Sequence, residues 1–465
     1  MTQSLSTQMA PEGSLSALEA TIERARGSRL YAERLAGVRL RSLDELRALP
    51  ITTRADLQRA GPHGTRAVPL EEIAHYGESS GTSGATNSMW LTAADLERDA
   101  RMLRARHPDV FAPGRIILNR FPFMSAPAHI VQLVAQQGGG VSIPAGNINW
   151  DVPFPRALEL AQRTGAHVLA GLPLEPVVLG EVARGRGLDV RRELAFDTFY
   201  LGGSTLPPAL RRRLARTWNV RVIELYGSTE TMLLGSSCTE ETLHLETELV
   251  YSEVLDEAGD PVPEGGEGRL VVTTIGIEGS PLVRLDTGDL VRRVPACACG
   301  DSRPGILVLG RAGEVVTLAG RQLHAHALVD AAAAAADVLD SAVFFVVVLA
   351  DRLVVRIETD GRPATPEASA ALHAALGDVP VEIETAPRDE LLDTEQLARS
   401  PHVYKPIVLS DWTRPGRRVL TVMQGMIEWP RPTPGELWRW MGRTVRTATR
   451  RRRLARSLLE RSRTR

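Results

Sequence analysis

The segment ESSGTSGATNS, residues 78–88, is built from small and hydroxyl-bearing residues and contains no cation. Such a loop can surround a phosphate chain with N–H groups and hydroxyls, because glycine has no Cβ to keep the backbone away. The Walker-type phosphate loop requires GxxxxGK followed by Ser or Thr, and no lysine follows here, so that motif is excluded. Taken alone, the composition favours a flexible surface turn.

Cysteine and histidine form a second candidate group. Cys238 and His244 lie close in sequence, and Cys297 and Cys299 are two residues apart; these are all three cysteines of the chain. One imidazole and three thiolates suit a closed, tetrahedral Zn²⁺ site that braces the structure and does not catalyse. Buried free thiols are the alternative. An odd number of cysteines without an export signal argues against a disulfide framework.

The elements that must position such groups alternate between strand and helix from residue 93 to residue 227. This alternation predicts βαβ units with a parallel sheet covered by helices on both faces. Ligands of such sheets bind beyond the carboxyl ends of the strands, and ELYGSTE (224–230) lies at one such end. The predicted strands are RIILNRF, GGVSIP, HVLAGL, FDTFYLGG and VRVIELYG.

The flanking regions have different patterns. Residues 14–60 are helical in pattern, and SLDELR and TRADLQRA each open with an N-cap residue. Residues 243–294 read as short strands with Gly and Pro turns, which predicts a small antiparallel subdomain. A boundary near residues 310–314 precedes a smaller α+β unit that contains the buried strand SAVFFVVVLA. His324 and His326, two apart, are expected on one face of a strand.

Composition and charge exclude several classes of protein. Of 465 residues, 43% are hydrophobic and 24% charged, which is typical of a globular chain and not of a disordered one. No signal peptide or membrane span is recognisable, which predicts a cytoplasmic protein. The net charge of -1 hides a basic tail, because residues 436–465 hold eleven Arg against two Glu. The tail is expected to be solvated and partly disordered, with a membrane surface or an acidic protein as alternative contacts.

Four segments together resemble the adenylate-forming superfamily of acyl-CoA synthetases. These are the serine loop, ELYGSTE, LDTGDL (285–290) and LGRAGEVVTLAG (309–320). The cysteine segment CACGDSRPGI resembles an arrangement found in one branch of the superfamily, some members of which bind zinc. The closest resemblance is to the phenylacetate–CoA ligase and coenzyme F390 synthetase branch, whose early segments are matched by LYAERL, SLDELRALP and AVPLEEI. The resemblance covers residues 30–410. It implies a large adenylation domain (1–310) and a small mobile C-terminal domain (311–410), with the basic tail (411–465) outside it.

The resemblance also implies a role for individual residues. Thr229 would bond phosphate, Glu230 would help to hold Mg²⁺, Asp289 would accept both ribose hydroxyls, and Arg311 would contact ribose or phosphate near the interdomain hinge. Lys405 is the candidate for the lysine that contacts carboxylate and phosphate, with a solvated surface lysine as the alternative. The remaining nucleotide-binding residues implied are Ser79, Ser80, Gly81, Thr82, Ser83, Gly84, Gly202, Gly203, Ser204, Tyr226, Gly227 and Ser228.

The chain departs from the family pattern at three positions. Ala85-Thr86-Asn87 stands where members often carry a lysine, and Asp286 stands where they often carry an arginine. Gly313 and Glu314 replace the usual pair of acids after Arg311. The missing lysine puts charge stabilisation of the leaving pyrophosphate in question, because a cation beside developing phosphate charge is a strong electrostatic contribution. His129 is placed near the acyl pocket by analogy, with a satisfied core or surface histidine as the stronger alternative.

By resemblance, the chain is an ATP- and Mg²⁺-dependent, AMP-forming ligase that activates an aromatic or small carboxylic acid and passes it to CoA. Three alternatives stay open. They are an adenylyltransferase of the F390 synthetase type, a ligase that loads a carrier protein or an amine, and a nucleotide-binding homologue without turnover. No nucleic-acid partner is expected. The sequence does not specify which carboxylic acid is the substrate. It is compatible with a monomer or a dimer.

Overall fold

The computed structural model describes residues 14–79, 86–147, 152–399, 407–415 and 418–423. Ser42 and Thr53 each accept a backbone N–H three residues on and so cap the helices that follow them, as predicted. The first helix ends at Ala25, where Gly27 and Ser28 interrupt the helix-forming residues, and turns follow. The first elements are α1 (Ser14–Ala25), α2 (Leu43–Arg47), α3 (Arg54–Ala60) and the hairpin of β1 (Ile73–Glu78) and β2 (Ser88–Thr92).

The predicted alternation of helices and parallel strands is confirmed. Five strands pair in parallel in the order β4-β3-β5-β6-β7, so the order reverses beside β3. A crevice is expected outside the carboxyl ends of strands at such a reversal. The elements are α4 (Ala93–Arg106), β3 (Ile116–Asn119), α5 (Ala126–Gln137), β4 (Val141–Pro144), α6 (Phe154–Thr164), β5 (Val168–Gly171), α7 (Leu174–Gly185), α8 (Val190–Glu193), β6 (Thr198–Gly202), α9 (Pro208–Trp218) and β7 (Arg221–Ser228).

The predicted antiparallel strands are also present, but they continue the parallel sheet. One sheet of eleven strands runs in the order β10-β11-β12-β13-β9-β8-β7-β6-β5-β3-β4. Its added strands pair with antiparallel neighbours, beginning with β8 against β7. They are β8 (Met232–Ser237), β9 (Leu243–Leu245), β10 (Val250–Leu255), β11 (Glu267–Thr274), β12 (Leu285–Val294) and β13 (Gly305–Arg311).

Residues after Arg311 form the smaller α+β unit. Its four strands pair in the order β18-β17-β16-β19, and β16 holds the apolar run predicted as a buried strand. The prediction for His324 and His326 is wrong, because His324 precedes a helix and His326 lies inside it. The elements are β14 (Val316–Leu318), β15 (Arg321–Leu323), α10 (Ala325–Val338), β16 (Phe344–Val348), β17 (Leu353–Glu358), α11 (Pro366–Leu376), β18 (Val381–Ala386), α12 (Thr394–Arg399) and β19 (Leu409–Asp411).

The main core lies between the parallel strands and helices α4 and α5. Aliphatic residues dominate it, as the low aromatic content of 5% predicts. Each buried Leu, Val or Ile contributes roughly 1.5–3 kcal/mol relative to exposure. Representative fully buried members are Leu91, Val110, Ile117, Val134 and Val168.

The described residues belong to one compact unit, and Ile427–Arg465 lies outside the described residues. A mobile division at residue 311 stays a prediction. Gly310 directly precedes it with φ of 125°, a backbone conformation that favours glycine. Among the described helices, none has the length and apolar character needed to cross a bilayer.

Candidate active site and metal centre

A cavity of about 840 Å³ lies beyond the carboxyl ends of the parallel strands. Phe121 follows β3, Leu172 follows β5, Gly203 follows β6, and Tyr226 lies on β7; all four line it. The antiparallel strands close another side of the cavity, where Asp289 on β12 contributes. The sheet order therefore brings together segments that are far apart in sequence.

All the predicted catalytic and nucleotide-binding residues that the structure describes line this one cavity. The turn between β7 and β8 is tight, since a Cβ on Gly227 would lie 2.0 Å from the carbonyl oxygen of Met232. Ser228 Oγ and Thr231 Oγ1 brace the same turn at 3.0 Å, which presents Thr229 and Glu230 to the cavity. The predicted residues found in the lining are Ser79, Gly202, Gly203, Ser204, Tyr226, Gly227, Ser228, Thr229, Glu230, Asp289 and Arg311.

Part of the prediction lies outside the described residues. Ser80, Gly81, Thr82, Ser83 and Gly84 of the serine loop, and Lys405, are in this group, so their roles stay predictions.

The two ends of the serine loop are joined. Ser79 Oγ accepts the N–H of Asn87 at 2.8 Å, and the N–H of Ser79 donates to the Asn87 carbonyl at 2.9 Å. The side chain of Asn87 then donates from Nδ2 to Glu230 Oε1. The base of the loop is thereby tied to the turn between β7 and β8.

Asp289 is held by two neighbours. Tyr226 Oη donates to Asp289 Oδ2 at 2.7 Å, and Arg311 Nε lies 3.1 Å from Asp289 Oδ1. Burial and the nearby Asp289 raise the pKa of Tyr226 well above its usual range, so the phenol stays protonated and donates. Because an ionised carboxylate offers about four acceptor positions, Asp289 can also accept hydroxyls from a ligand.

Asp286, which stands where the family often has arginine, has a structural partner. Its Oδ2 lies 2.8 Å from Arg269 Nη1, and its Oδ1 accepts the N–H of Gly288 at 2.9 Å. Asp286 therefore pins the turn that presents Asp289. The positive charge that an arginine supplies at this position in the family would have to come from another residue of this chain.

Arg54 is a cavity residue that the sequence reasoning missed. It begins α3, lines the cavity, and has a buried Nε with no hydrogen-bond partner among the described residues. Thr52, two residues earlier, pairs with the start of the LDTGDL segment: its N–H donates to the Arg284 carbonyl at 2.8 Å, and its carbonyl accepts the N–H of Asp286 at 2.9 Å. The signal available in the sequence was a cation at the start of TRADLQRA, but only the fold shows that this helix reaches the cavity.

Glu224 is a second missed residue, although it belongs to ELYGSTE. It lies two residues before Tyr226 on β7 and lines the cavity. Burial raises the pKa of Glu224 to about 7, against the opposing effect of Arg211, whose Nη1 lies 3.9 Å away. A carboxyl group of this kind can bind either as an acceptor or, when protonated, as a donor.

One wall of the cavity is apolar. The described lining residues from α4, α5, α7, β8 and the segments that precede α5 and α7 include no charged side chain. His129 is not among the lining residues; its Nε2 lies 2.9 Å from the Phe123 carbonyl, and its ring is 4.6 Å from that of His75. The apolar lining includes Leu103, Phe121, Ile130, Val131, Leu172, Val177, Met232 and Leu233.

The predicted cysteine and histidine ligands converge. One ligand atom from each of Cys238, His244, Cys297 and Cys299 lies within 4.8 Å of all the others. Cys238 Sγ and Cys297 Sγ are 3.7 Å apart, and Cys299 Sγ is 3.4 Å from His244 Nε2. Tetrahedral Zn²⁺ with Zn–S bonds of about 2.3 Å places two sulfurs about 3.8 Å apart. The donor set and its spacing therefore fit zinc.

Neighbouring groups orient this cluster. His244 Nδ1 lies 3.0 Å from the carbonyl of Arg303, which leaves Nε2 facing the thiols. Thr242 Oγ1 is 3.3 Å from Cys297 Sγ. The cluster joins the turn after β8 to the loop between β12 and β13, at the ends of those strands opposite Asp289 and Arg311.

Comparison with known proteins identifies the family of the chain. The family model for AMP-binding enzymes matches residues 24–278. The phenylacetate-coenzyme A ligase of Thermus thermophilus is 30% identical over 293 residues, or 61% of this chain and 65% of the ligase, and that of Aromatoleum evansii is 24% identical over the same shares. The alignments thus span about 65% of the length of these ligases.

The fold is similar to that of a solved ligase. 2-Hydroxyisobutyryl-CoA ligase in the postadenylation state, in complex with R3-HIB-AMP, has a TM-score of 0.73 at 21% identity, covering 86% of this chain and 89% of that one. An open conformation of the same ligase, in complex with 2-HIB-AMP and CoA, has a TM-score of 0.60 at 21% identity, with 86% and 91% covered. Since the family model matches more than half of the chain, this protein belongs to the AMP-binding enzyme family, and its sequence is similar to the phenylacetate-coenzyme A ligases.

Proposed function

We propose that this protein is an ATP-dependent, AMP-forming ligase that converts a carboxylic acid to an acyl-adenylate and transfers the acyl group to CoA. One observation carries the proposal: the predicted nucleotide-binding residues of the described chain line a single cavity at the carboxyl ends of the parallel strands. The relatives that are named as ligases act on phenylacetate and coenzyme A.

The first half-reaction needs positioning and charge neutralisation. The acid's carboxylate attacks the α-phosphorus of ATP, a P–O bond forms, and pyrophosphate leaves with the electrons of the broken bond. Asp289, oriented by Tyr226 and Arg311, accepts the ribose hydroxyls. Glu230 is the carboxylate that would hold Mg²⁺, a hard cation that would neutralise phosphate charge. Thr229 donates to phosphate, and Lys405 is proposed for the carboxylate.

The smaller unit, residues 311–410, is proposed to move between the two half-reactions. Gly310 supplies the conformational freedom directly before Arg311. Thioester formation then requires the thiolate of CoA to attack the acyl carbonyl, with AMP as the leaving group. No acid–base triad is required for the first step.

The acid is proposed to carry an uncharged, apolar tail, aromatic or small. The support is the apolar wall built from α4, α5, α7 and β8, where a charged substituent would lose hydration without gaining a partner.

Exchange of labelled pyrophosphate into ATP tests the proposal. Aryl and short-chain acids are supplied one at a time, and the acids that support exchange are then offered with CoA. Exchange that depends on the acid, followed by acyl-CoA formation, is the expected result. Absence of exchange with every acid, in protein that binds Mg²⁺ and ATP, contradicts the ligase and favours the adenylyltransferase or inactive alternative.

Arg54 is expected to supply part of the positive charge that the serine loop lacks. Replacing Arg54 with alanine should raise the KM for ATP about tenfold, because a charge-assisted hydrogen bond to phosphate is lost. Arg54→Lys should retain most of the affinity. Arg59→Ala is the control, since Arg59 lies on the same helix with 70% of its side chain exposed and does not line the cavity. If all three variants had the KM for ATP of the wild-type protein, Arg54 would have no role in binding ATP.

The cysteine cluster is proposed to hold one structural Zn²⁺. The purified protein should contain about one equivalent of zinc. Cys297→Ser should lose the metal and lower the melting temperature, because binding energy at a structural site is folding energy. Ser302→Ala, an exposed change in the same loop, should keep both. Elemental analysis and thermal melts provide the measurements, and zinc far below one equivalent in wild-type protein would contradict the site.

A further inference from the structure

Asn87 joins the serine-loop hairpin to the turn that carries Glu230. It directly precedes β2 and is 3% exposed. Its backbone forms both hydrogen bonds with Ser79, at 2.8 and 2.9 Å, while its side-chain Nδ2 donates to Glu230 Oε1. Backbone and side chain therefore serve different partners, so a substitution can remove the second contact and leave the first.

The side chain of Asn87 has a structural cost that its backbone role does not explain. Its Oδ1 is buried and has no hydrogen-bond partner among the described residues. A buried acceptor without a partner destabilises a fold, and an apolar residue of the same volume would avoid that cost. The contact from Nδ2 to Glu230 is the interaction that accounts for an amide at this position.

The neutrality of this donor determines what Glu230 can do. A lysine at residue 87 would pair with the carboxylate and offset its attraction for a second cation. An amide fixes one carboxylate oxygen while the charge of the group is retained. Because Mg²⁺ requires near-ideal octahedral geometry from its oxygen ligands, a carboxylate of fixed orientation binds it better than a rotating one.

We propose that Asn87 is the positioning residue of Glu230: it orients the carboxylate with a neutral hydrogen bond so that Glu230 meets the divalent cation that accompanies the phosphates of ATP. The proposal rests on the ligase function above, in which Glu230 holds Mg²⁺. It assigns a use to one residue of the segment Ala85-Thr86-Asn87, in which members of the family often carry a lysine.

The test is a double-mutant cycle on nucleotide binding. Calorimetry measures the affinity for Mg²⁺ with α,β-methylene-ATP, which cannot release pyrophosphate, in wild type, Asn87→Leu, Glu230→Gln and the double variant. Asn87→Leu keeps the branched shape of the side chain and the backbone bonds but removes the donor. It is expected to weaken binding about tenfold, the value of one charge-assisted hydrogen bond. In the Glu230→Gln background the same change should cost less than about twofold, since interacting residues are not additive.

Two further measurements separate positioning from folding. The loss in Asn87→Leu should shrink as the concentration of Mg²⁺ rises, whereas a misfolded loop would not be rescued. Gln137→Leu is the matched control, because Gln137 Nε2 donates to Glu97 Oε1 at 2.9 Å in an amide–carboxylate pair on the surface; it should bind as wild type does. Asn87→Ala replaces Asn87→Leu if the larger residue prevents folding.

Wild-type affinity for Asn87→Leu, or an equal loss in both Glu230 backgrounds, would overturn the role of Asn87 while leaving the ligase intact. Failure of wild-type protein to bind the magnesium–nucleotide complex would overturn the proposed function and this proposal together.

Discussion

Replacing Glu230 with alanine is expected to lower the rate of acid-dependent pyrophosphate exchange by on the order of 100- to 1,000-fold, the size of losing one preorganised electrostatic group at a reacting centre. Glu230 lies in the turn between β7 and β8, lines the cavity and accepts a hydrogen bond from Asn87. Its removal takes away both the negative charge for Mg²⁺ and the partner of Asn87.

Asp289→Ala should abolish exchange for a different reason. Here the ribose loses its acceptor, and Tyr226 and Arg311 lose the group that they orient. The KM for ATP should therefore rise in Asp289→Ala, whereas the Glu230 variant should lose kcat as well as affinity for the magnesium–nucleotide complex. Glu257→Ala, an exposed carboxylate between β10 and β11, is the control. Full activity in either site variant, measured by exchange, would reject its assignment.

Replacing Glu175 with alanine is expected to lower the free energy of unfolding by about 3–5 kcal/mol, because it leaves an uncompensated charge inside the protein. Its partner Arg120 is fully buried, with Nε 2.9 Å from Glu175 Oε2 and the guanidinium 4.7 Å from the ring of Phe154. The pair joins the end of β3 to α7, directly behind the cavity residues Phe121 and Leu174.

Urea unfolding measures this effect, and two variants sharpen it. The double variant Arg120→Met, Glu175→Leu should recover most of the loss, since matched apolar residues can replace a buried ion pair. Glu159→Ala breaks surface pairs with Arg156 and Arg186 and should leave the unfolding midpoint unchanged. A Glu175→Ala midpoint equal to that of wild type would show that Arg120 finds other partners or water.

Much of the fold could be predicted from local pattern. The alternation from residue 93 to residue 227 is strong, because each parallel strand is a short apolar run flanked by an amphipathic helix. The continuity of the sheet could not be predicted, since the pairing of β8 with β7 and of β13 with β9 depends on contacts distant in sequence. His324 was placed wrongly because a spacing of two residues does not distinguish a strand from the start of a helix.

The cavity lining was predictable where it consists of contiguous motifs, such as ELYGSTE and LDTGDL. The contribution of a single residue from an element distant in sequence was not predictable. Arg54 reaches the cavity only because Thr52 pairs with the strand that carries Asp286. The two segments in which the chain lacks a family cation also differ in their contacts. Asp286 pairs with Arg269, whereas Asn87, in the segment 85–87, contacts the carboxylate of Glu230.

The unbroken ladder of eleven strands limits how the protein can admit its substrates. Tyr226 and Asp289 lie on strands joined through β8, β9 and β13. They cannot separate unless the hydrogen bonds between these strands break. The ribose of a bound nucleotide would therefore contact side chains whose relative positions stay fixed throughout turnover. The movement proposed for residues 311–410 would therefore have to leave these strand pairings intact.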